Sequence, residues 1–177
     1  MNLTPQASLG ARGYLGKVST AAALLDLLAA SGRPYALLDH PEAVSAEAAA
    51  AARGTPLEIG GKSVLMSVEK LGFVVLVVGS DRRVEGKLLR KALGVQRYRF
   101  ASPEELLALT GLRPGAVPAF ARPLFDAELV VGEDVAARPE IAFAAASSTR
   151  SVRMATADWL AVARPRVIPA FTGPATP

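Results

Sequence analysis

Lys62 follows two glycines at the start of a run rich in β-branched residues, and a second such run, Phe73 to Val78, follows a short polar segment, Glu69 to Gly72. Two such runs joined this way predict a β-hairpin with Lys62 at its mouth, where Gly60 and Gly61 let another group approach the backbone. A lysine there is either a solvated strand end or a cation offered to a ligand, and spacing alone does not separate the two. His40 is the single imidazole of the chain. It is either a hydrogen-bonded structural residue or a base. A third group is the segment Arg82 to Arg99, with seven basic residues against Glu85 alone. Charge gathered on one segment suits a surface that meets phosphates, although a solvated helix face would look the same. With no cysteine, the usual Cys/His metal clusters are excluded, and the nucleophile systems that need histidine survive only if His40 serves. The chemistry expected is metal-free, with no cofactor.

The elements that position these residues follow from periodicity and caps. Thr20 to Ser31 predicts a first helix with Ser19 or Thr20 as N-cap, Gly32 as stop and Leu24, Leu25, Leu27 and Leu28 as its buried stripe. Tyr35 to Asp39 predicts a short strand running into His40-Pro41. Ser45 caps a second helix, Ala46 to Arg53, closed by Gly54. Phe73 to Val78 has no polar position, so both of its faces should be buried in mid-sheet. Arg82 to Leu93 predicts a helix with Arg83, Lys87, Arg90 and Lys91 away from its apolar side. Gln96 to Phe100 predicts a strand with Arg97 and Arg99 outward and Tyr98 and Phe100 inward. Ser102-Pro103-Glu104-Glu105 is a capping box opening a helix to Leu109. Leu112 to Phe120 is an apolar loop in which Gly115 is free to take a conformation barred to other residues. Strands at Leu124 to Val131, Glu140 to Ala144 and Ser151 to Met154, and a last helix holding Trp159, complete the pattern.

At 177 residues and 51% hydrophobic composition, the chain can bury roughly two thirds of its unfolded surface in one domain. No apolar run approaches the roughly 20 residues that span a bilayer. A soluble, cytoplasmic protein is expected. Its boundaries are read as a flexible N-terminus at 1–18, one domain at 19–164 and a loosely attached Pro-rich tail at 165–177.

Several motifs in order resemble the YbaK/prolyl-tRNA editing-domain family. They are His40-Pro41, Gly61-Lys62-Ser63-Val64-Leu65, the unit from Gly94 to Leu109, the loop from Thr110 to Phe120, Asp126, and Ser151-Val152-Arg153. The resemblance spans Tyr35 to Ala163. It implies an α/β fold, a single domain with a curved, barrel-like mixed β-sheet flanked by helices. It also implies hydrolysis of the ester of mischarged tRNA, commonly tRNA for proline carrying alanine, cysteine or another small amino acid. Lys62 matches the family's functional lysine. With Gly115 it would form the catalytic pair, while His40, Ser63, Ala116, Val117, Ala119 and Asp126 would contact the substrate. Arg82, Arg83, Lys87, Arg90 and Lys91 would hold the tRNA. The partners implied are the acceptor end of the tRNA and an aminoacyl-tRNA synthetase, with no membrane, and either a monomer or a homodimer.

Ester hydrolysis suits these residue types, because backbone amides and one cation can stabilise an oxyanion and position a water without metal. The chain departs from the family pattern at Ala119, where the family has Pro and this chain has Pro118 one residue early. Ala121 and the stretch Ala144 to Ser148 also stand where relatives carry Gly. These departures bear on the shape of the amino-acid pocket. They leave open a non-catalytic tRNA- or synthetase-binding module, or a domain for another small ligand in the same pocket.

Overall fold

A computed structural model describes residues 19–43 and 45–175, so the expected flexible start at 1–18 lies outside the described residues. The elements in chain order are α1 (Thr20–Ser31), β1 (Ala36–Asp39), α2 (Ala46–Arg53), a 3-10 turn (Leu57–Ile59), β2 (Gly61–Val68), β3 (Gly72–Gly79), β4 (Arg82–Val84) and α3 (Gly86–Leu93). There follow β5 (Tyr98–Phe100), α4 (Pro103–Thr110), β6 (Glu128–Gly132), α5 (Glu133–Ala136), β7 (Glu140–Ala144), β8 (Arg150–Ala155), α6 (Thr156–Ala163), β9 (Arg166–Ile168) and β10 (Thr172–Pro174).

The central hairpin forms as its residues dictate. β2 and β3 pair antiparallel from Gly61 opposite Gly79 to Val68 opposite Gly72. β3 is apolar throughout because both of its faces are covered. Val75 and Val77 join one core with Leu24, Leu28, Phe120, Phe143 and Trp159, while Val74, Leu76 and Val78 join another with Leu89, Ile168 and Phe171. Each such side chain, fully buried, contributes roughly 1.5–3 kcal/mol of transfer free energy.

β6 runs parallel to β3 and β9 parallel to β6, giving a mixed five-stranded sheet in the order β5-β2-β3-β6-β9. A three-stranded sheet, β1-β8-β7, and a ribbon, β10-β4, stand beside it. A single bridge from Gly60 to Ala142 links the two larger sheets. The result is an α/β domain with mixed sheets, and among the described residues no sheet closes into a barrel. Gly60 and Gly61 permit the close approach expected of them, but the visitor is the protein itself. A Cβ on Gly60 would collide with the Ser80 side chain, and one on Gly61 would come within 3.0 Å of Ile141 Cδ1.

Three expectations fail for physical reasons. Arg82 and Arg83 lie on β4 and not in a helix, because β10 pairs with them edge to edge and the helix starts only at Gly86. Phe100 points outward at 59% exposure, since β5 is the outer strand of its sheet and no element covers that end. The Pro-rich end is packed: β9 and β10 each pair with a strand, and Phe171 between them is fully buried.

Candidate active site

The open end of the hairpin faces a cavity of about 190 Å³. Its walls come from the end of β1 (His40), one face of α2 (Ser45, Ala49, Arg53), the start of β2 (Gly61, Lys62, Ser63), Ser80 after β3, Gly115 and Val117 of the apolar loop, and the β7–β8 connection (Ser147, Ser148, Ser151). Each wall is held by local chemistry. Ser45 caps α2 through its hydroxyl, which accepts from the Ala48 amide at 3.1 Å. Gly115 takes φ +87°, a conformation open to glycine at no steric cost. Ala146, in the β7–β8 connection where relatives were expected to carry Gly, also sits at positive φ, +54°.

Lys62 is half-buried, and its Nζ donates to the Arg82 carbonyl at 2.6 Å. That bond fixes the ammonium and leaves its other two protons for a ligand. Glu47, on the first turn of α2, has its carboxyl below the usual range. Its own backbone N–H and the Ser45 hydroxyl hydrogen-bond the ionised form, and the Lys62 charge adds to them.

His40 Nδ1 is 2.9 Å from the Pro41 carbonyl and Nε2 is 2.8 Å from Ser151 Oγ. A carbonyl only accepts, so in the neutral ring Nδ1 carries the proton and the Nε2 lone pair accepts from Ser151. Asp39, the neighbouring carboxylate, is bound to Arg150 at 2.6 Å. The imidazole is therefore oriented by a backbone carbonyl and not by an acid. Arg53 reaches the same hydroxyl at 3.5 Å and Thr55 Oγ1 at 3.4 Å, and burial lowers its pKa. A half-buried guanidinium hydrogen-bonded only through hydroxyls has charge to spare for an anion.

The cavity thus gathers Lys62, Gly115, His40, Ser63 and Val117 from the sequence reading. It does not gather the other three substrate candidates. The Ala116 amide donates to the Arg113 carbonyl at 3.1 Å, so it is engaged within its own turn. Ala119 is fully buried, and its carbonyl accepts from the Trp159 indole at 2.7 Å. Asp126 is an exposed residue whose carboxylate pairs with Arg122 at 2.6 Å beside a different, larger cleft of about 870 Å³. That cleft lies by the start of β6, which pairs with the turn end of β3, opposite the Lys62 end. Its Arg33, Arg122 and Arg166 are paired with Asp158, Asp126 and Glu128.

Arg53 and Ser80 line the cavity without having been singled out in the sequence, and Ser45, Ser147, Ser148 and Ser151 line it although the sequence marked them only as a helix cap, as positions where relatives carry Gly, or as part of a motif with no assigned role. Arg53 looks like an ordinary basic residue at a helix C-terminus, and the serines look like turn and strand residues. Among the basic candidates, Arg82 contacts Asp81 at 3.5 Å, whereas Arg83, Lys87, Arg90 and Lys91 are exposed.

With this geometry the comparisons with known proteins agree. Residues 40–162 match the model of the aminoacyl-tRNA editing domain, and the chain belongs to that family. It is thereby an enzyme of the aminoacyl-tRNA deacylase class. It is 31% identical over 151 residues to the multifunctional Ser/Thr-tRNA deacylase ProXp-y of Escherichia coli (strain K12), covering 82% of this chain and 89% of that one. It is 28% identical over 147 residues to the proline–tRNA ligase of Xanthomonas campestris pv. campestris (strain 8004), again over 82% of this chain but only 25% of the ligase. Its fold matches the crystal structure of a candidate trans-editing enzyme for prolyl tRNA synthetase with a TM-score of 0.72 at 24% identity, covering 85% of this chain and 97% of the other.

Proposed function

We propose that this protein is a free-standing trans-editing hydrolase that cleaves the ester of a small, mischarged amino acid from tRNA in the cytoplasm and so guards translation fidelity. The observation that carries the reading is the cavity itself. The cavity measures about 190 Å³, and six serines line it beside one lysine and one arginine, so much of its lining is polar. A hydroxyl-bearing or very small amino acid fits such a lining. Alanine and cysteine fit by size, and serine fits by hydrogen bonding as well. The Ser/Thr-tRNA deacylase among the relatives supports the same choice.

In this reading, water adds to the ester carbonyl while the Lys62 ammonium and the Arg53 guanidinium face the developing oxyanion. His40, its lone pair directed at the Ser151 hydroxyl, takes the proton from water through that hydroxyl. The carbon–oxygen bond to the ribose then breaks, and the ribose oxygen recovers a proton. Gly115 lets the apolar loop approach the ester closely. Arg83, Lys87, Arg90 and Lys91 hold the acceptor stem, with a synthetase as the expected supplier of the mischarged tRNA.

The test is hydrolysis of tRNAs charged with serine, threonine, alanine, cysteine and proline, each at the same enzyme concentration. We expect serine or alanine to be released fastest and proline slowest. Release of proline at a rate equal to the rest, or of none of the five, would contradict this reading.

A further inference from the structure

A second hollow of about 250 Å³ adjoins the cavity and shares Ser63, Gly115 and Val117 with it. Its character is different. Leu65, Leu106 and Pro114 form apolar walls, and the exposed ring of Phe100 stands at its edge. It lies below the roughly 300–1,000 Å³ that holds a drug-sized ligand, which suits a single planar ring system.

The sheet explains why the hollow exists. β2 pairs with β3 along Gly61–Val68, but β5 covers only Met66–Val68 on the other side. The last bond on that side is from the Ala101 amide to the Leu65 carbonyl at 3.0 Å. Backbone groups alternate sides along a strand, so Ser63, two residues before Leu65, turns its N–H and C=O towards this same open edge. The Ser63 hydroxyl is buried with no hydrogen-bond partner. A buried polar atom without a partner costs stability, and such atoms in native proteins call for an explanation.

We propose that this slot binds the terminal adenine of the acceptor strand, stacked on Phe100 and read along its Watson–Crick edge by Ser63. The backbone N–H of Ser63 donates to adenine N1 and its C=O accepts from the N6 amino group, while the orphaned hydroxyl gains a partner on the same nucleoside. Guanine or inosine presents N1–H and O6 there, the reverse pattern, so the same backbone pair rejects it. Continuity with the reaction cavity fixes the occupant, because the ribose that carries the ester must lie between the two hollows. Arg97 and Arg99 on and before β5 are paired with Glu69 and Glu105, while Arg90, exposed on α3, lines a separate groove with them. An exposed aromatic ring on which a base stacks is how single-stranded nucleic acid is held.

The proposal rests on the deacylase reading for its choice of ligand, but its test needs no turnover. Binding of the uncharged trinucleotide CCA is compared with the same strand ending in inosine and with one whose last residue lacks a base, followed by NMR shifts of the amides of Ser63, Phe100 and Ala101. We expect CCA to bind best, the strand lacking the last base roughly 5- to 100-fold more weakly, the range that removing one stacked base represents, and the inosine strand also more weakly, because it keeps the stack but reverses the hydrogen-bond pattern. Phe100→Ala should weaken CCA by a similar factor, Phe100→Trp should retain it, and Leu107→Ala, exposed on α4 and off the slot, should change nothing. Equal binding of the three strands, or full affinity in Phe100→Ala, would overturn the proposal. A protein that prefers CCA yet hydrolyses none of the five charged tRNAs would contradict the deacylase reading and leave the slot standing. One that hydrolyses them without adenine preference would do the reverse.

Discussion

Trp159 is fully buried, and its one polar atom is satisfied by the carbonyl of Ala119. Ala119 is thereby a structural contact under the apolar loop, although the family pattern suggested a pocket wall. Trp159→Phe should leave that carbonyl without its partner and open a small void, costing on the order of 1–3 kcal/mol in a denaturant titration. A change below a few tenths would show that another group takes over the carbonyl. Arg53 carries the opposite expectation. It stands at the end of α2 with hydroxyl partners, so Arg53→Met should keep the melting temperature within a few degrees. Hydrolysis of the best substrate should nevertheless fall by about 100-fold, as for the loss of one oxyanion donor. Unchanged turnover would remove it from the site.

Helix α4 shows how one element can be written almost completely in local sequence. The Ser102 hydroxyl accepts from the Glu105 amide, the Glu105 carboxylate accepts from the Ser102 amide, and Pro103 occupies the first turn. Arg99 adds a bidentate pair to Glu105 at 2.7 Å on both oxygens. Together the Arg99 side chain and the Ser102 amide hold the Glu105 carboxyl at about 2, against an ordinary 4.5. A depressed carboxyl contributes stability that is fully present above its unfolded value and is lost as pH falls through the folded one. The melting-temperature gap between wild type and Glu105→Gln should therefore be constant above about pH 5 and shrink as pH falls from 4.5 towards 2. A gap that stays constant over that range would mean that Glu105 acts through packing alone. This element also positions the adenine slot, whose floor includes Leu106.

Across the whole molecule, what was legible in the sequence is what short-range chemistry decides. Caps gave α1, α2 and α4, and the alternation and length of the apolar runs gave the hairpin with β3 buried on both faces. What was not legible depended on long-range pairing. No local signal says that Thr172–Pro174 will pair with Arg82–Val84 and turn the expected start of a helix into a strand, or that Ser151 will be brought beneath His40 from 111 positions away. The residues carried over by family likeness divide in the same way. Lys62, His40, Ser63, Gly115 and Val117 meet at one cavity, while Asp126 sits at the far end of the sheet, where only the fold could place it. The exposed cations are spread over β4 and α3, so reversing Arg83, Lys87 and Arg90 to Glu together should weaken tRNA binding. It should also flatten the plot of log affinity against log salt, by roughly 0.7–0.9 for each phosphate no longer neutralised; an unchanged slope would make the patch a solvated face. The most direct measurement is hydrolysis of seryl- and alanyl-tRNA by Lys62→Ala, alongside its thermal melt. The half-buried ammonium bonds one carbonyl at the strand mouth, so we expect a loss of stability of about 1.5–3 kcal/mol at most, which leaves the protein folded. Turnover should fall by about 100-fold or more and should not return in Lys62→Arg. Wild-type turnover in a normally folded Lys62→Ala protein would contradict the assignment of this cavity as the site of ester hydrolysis.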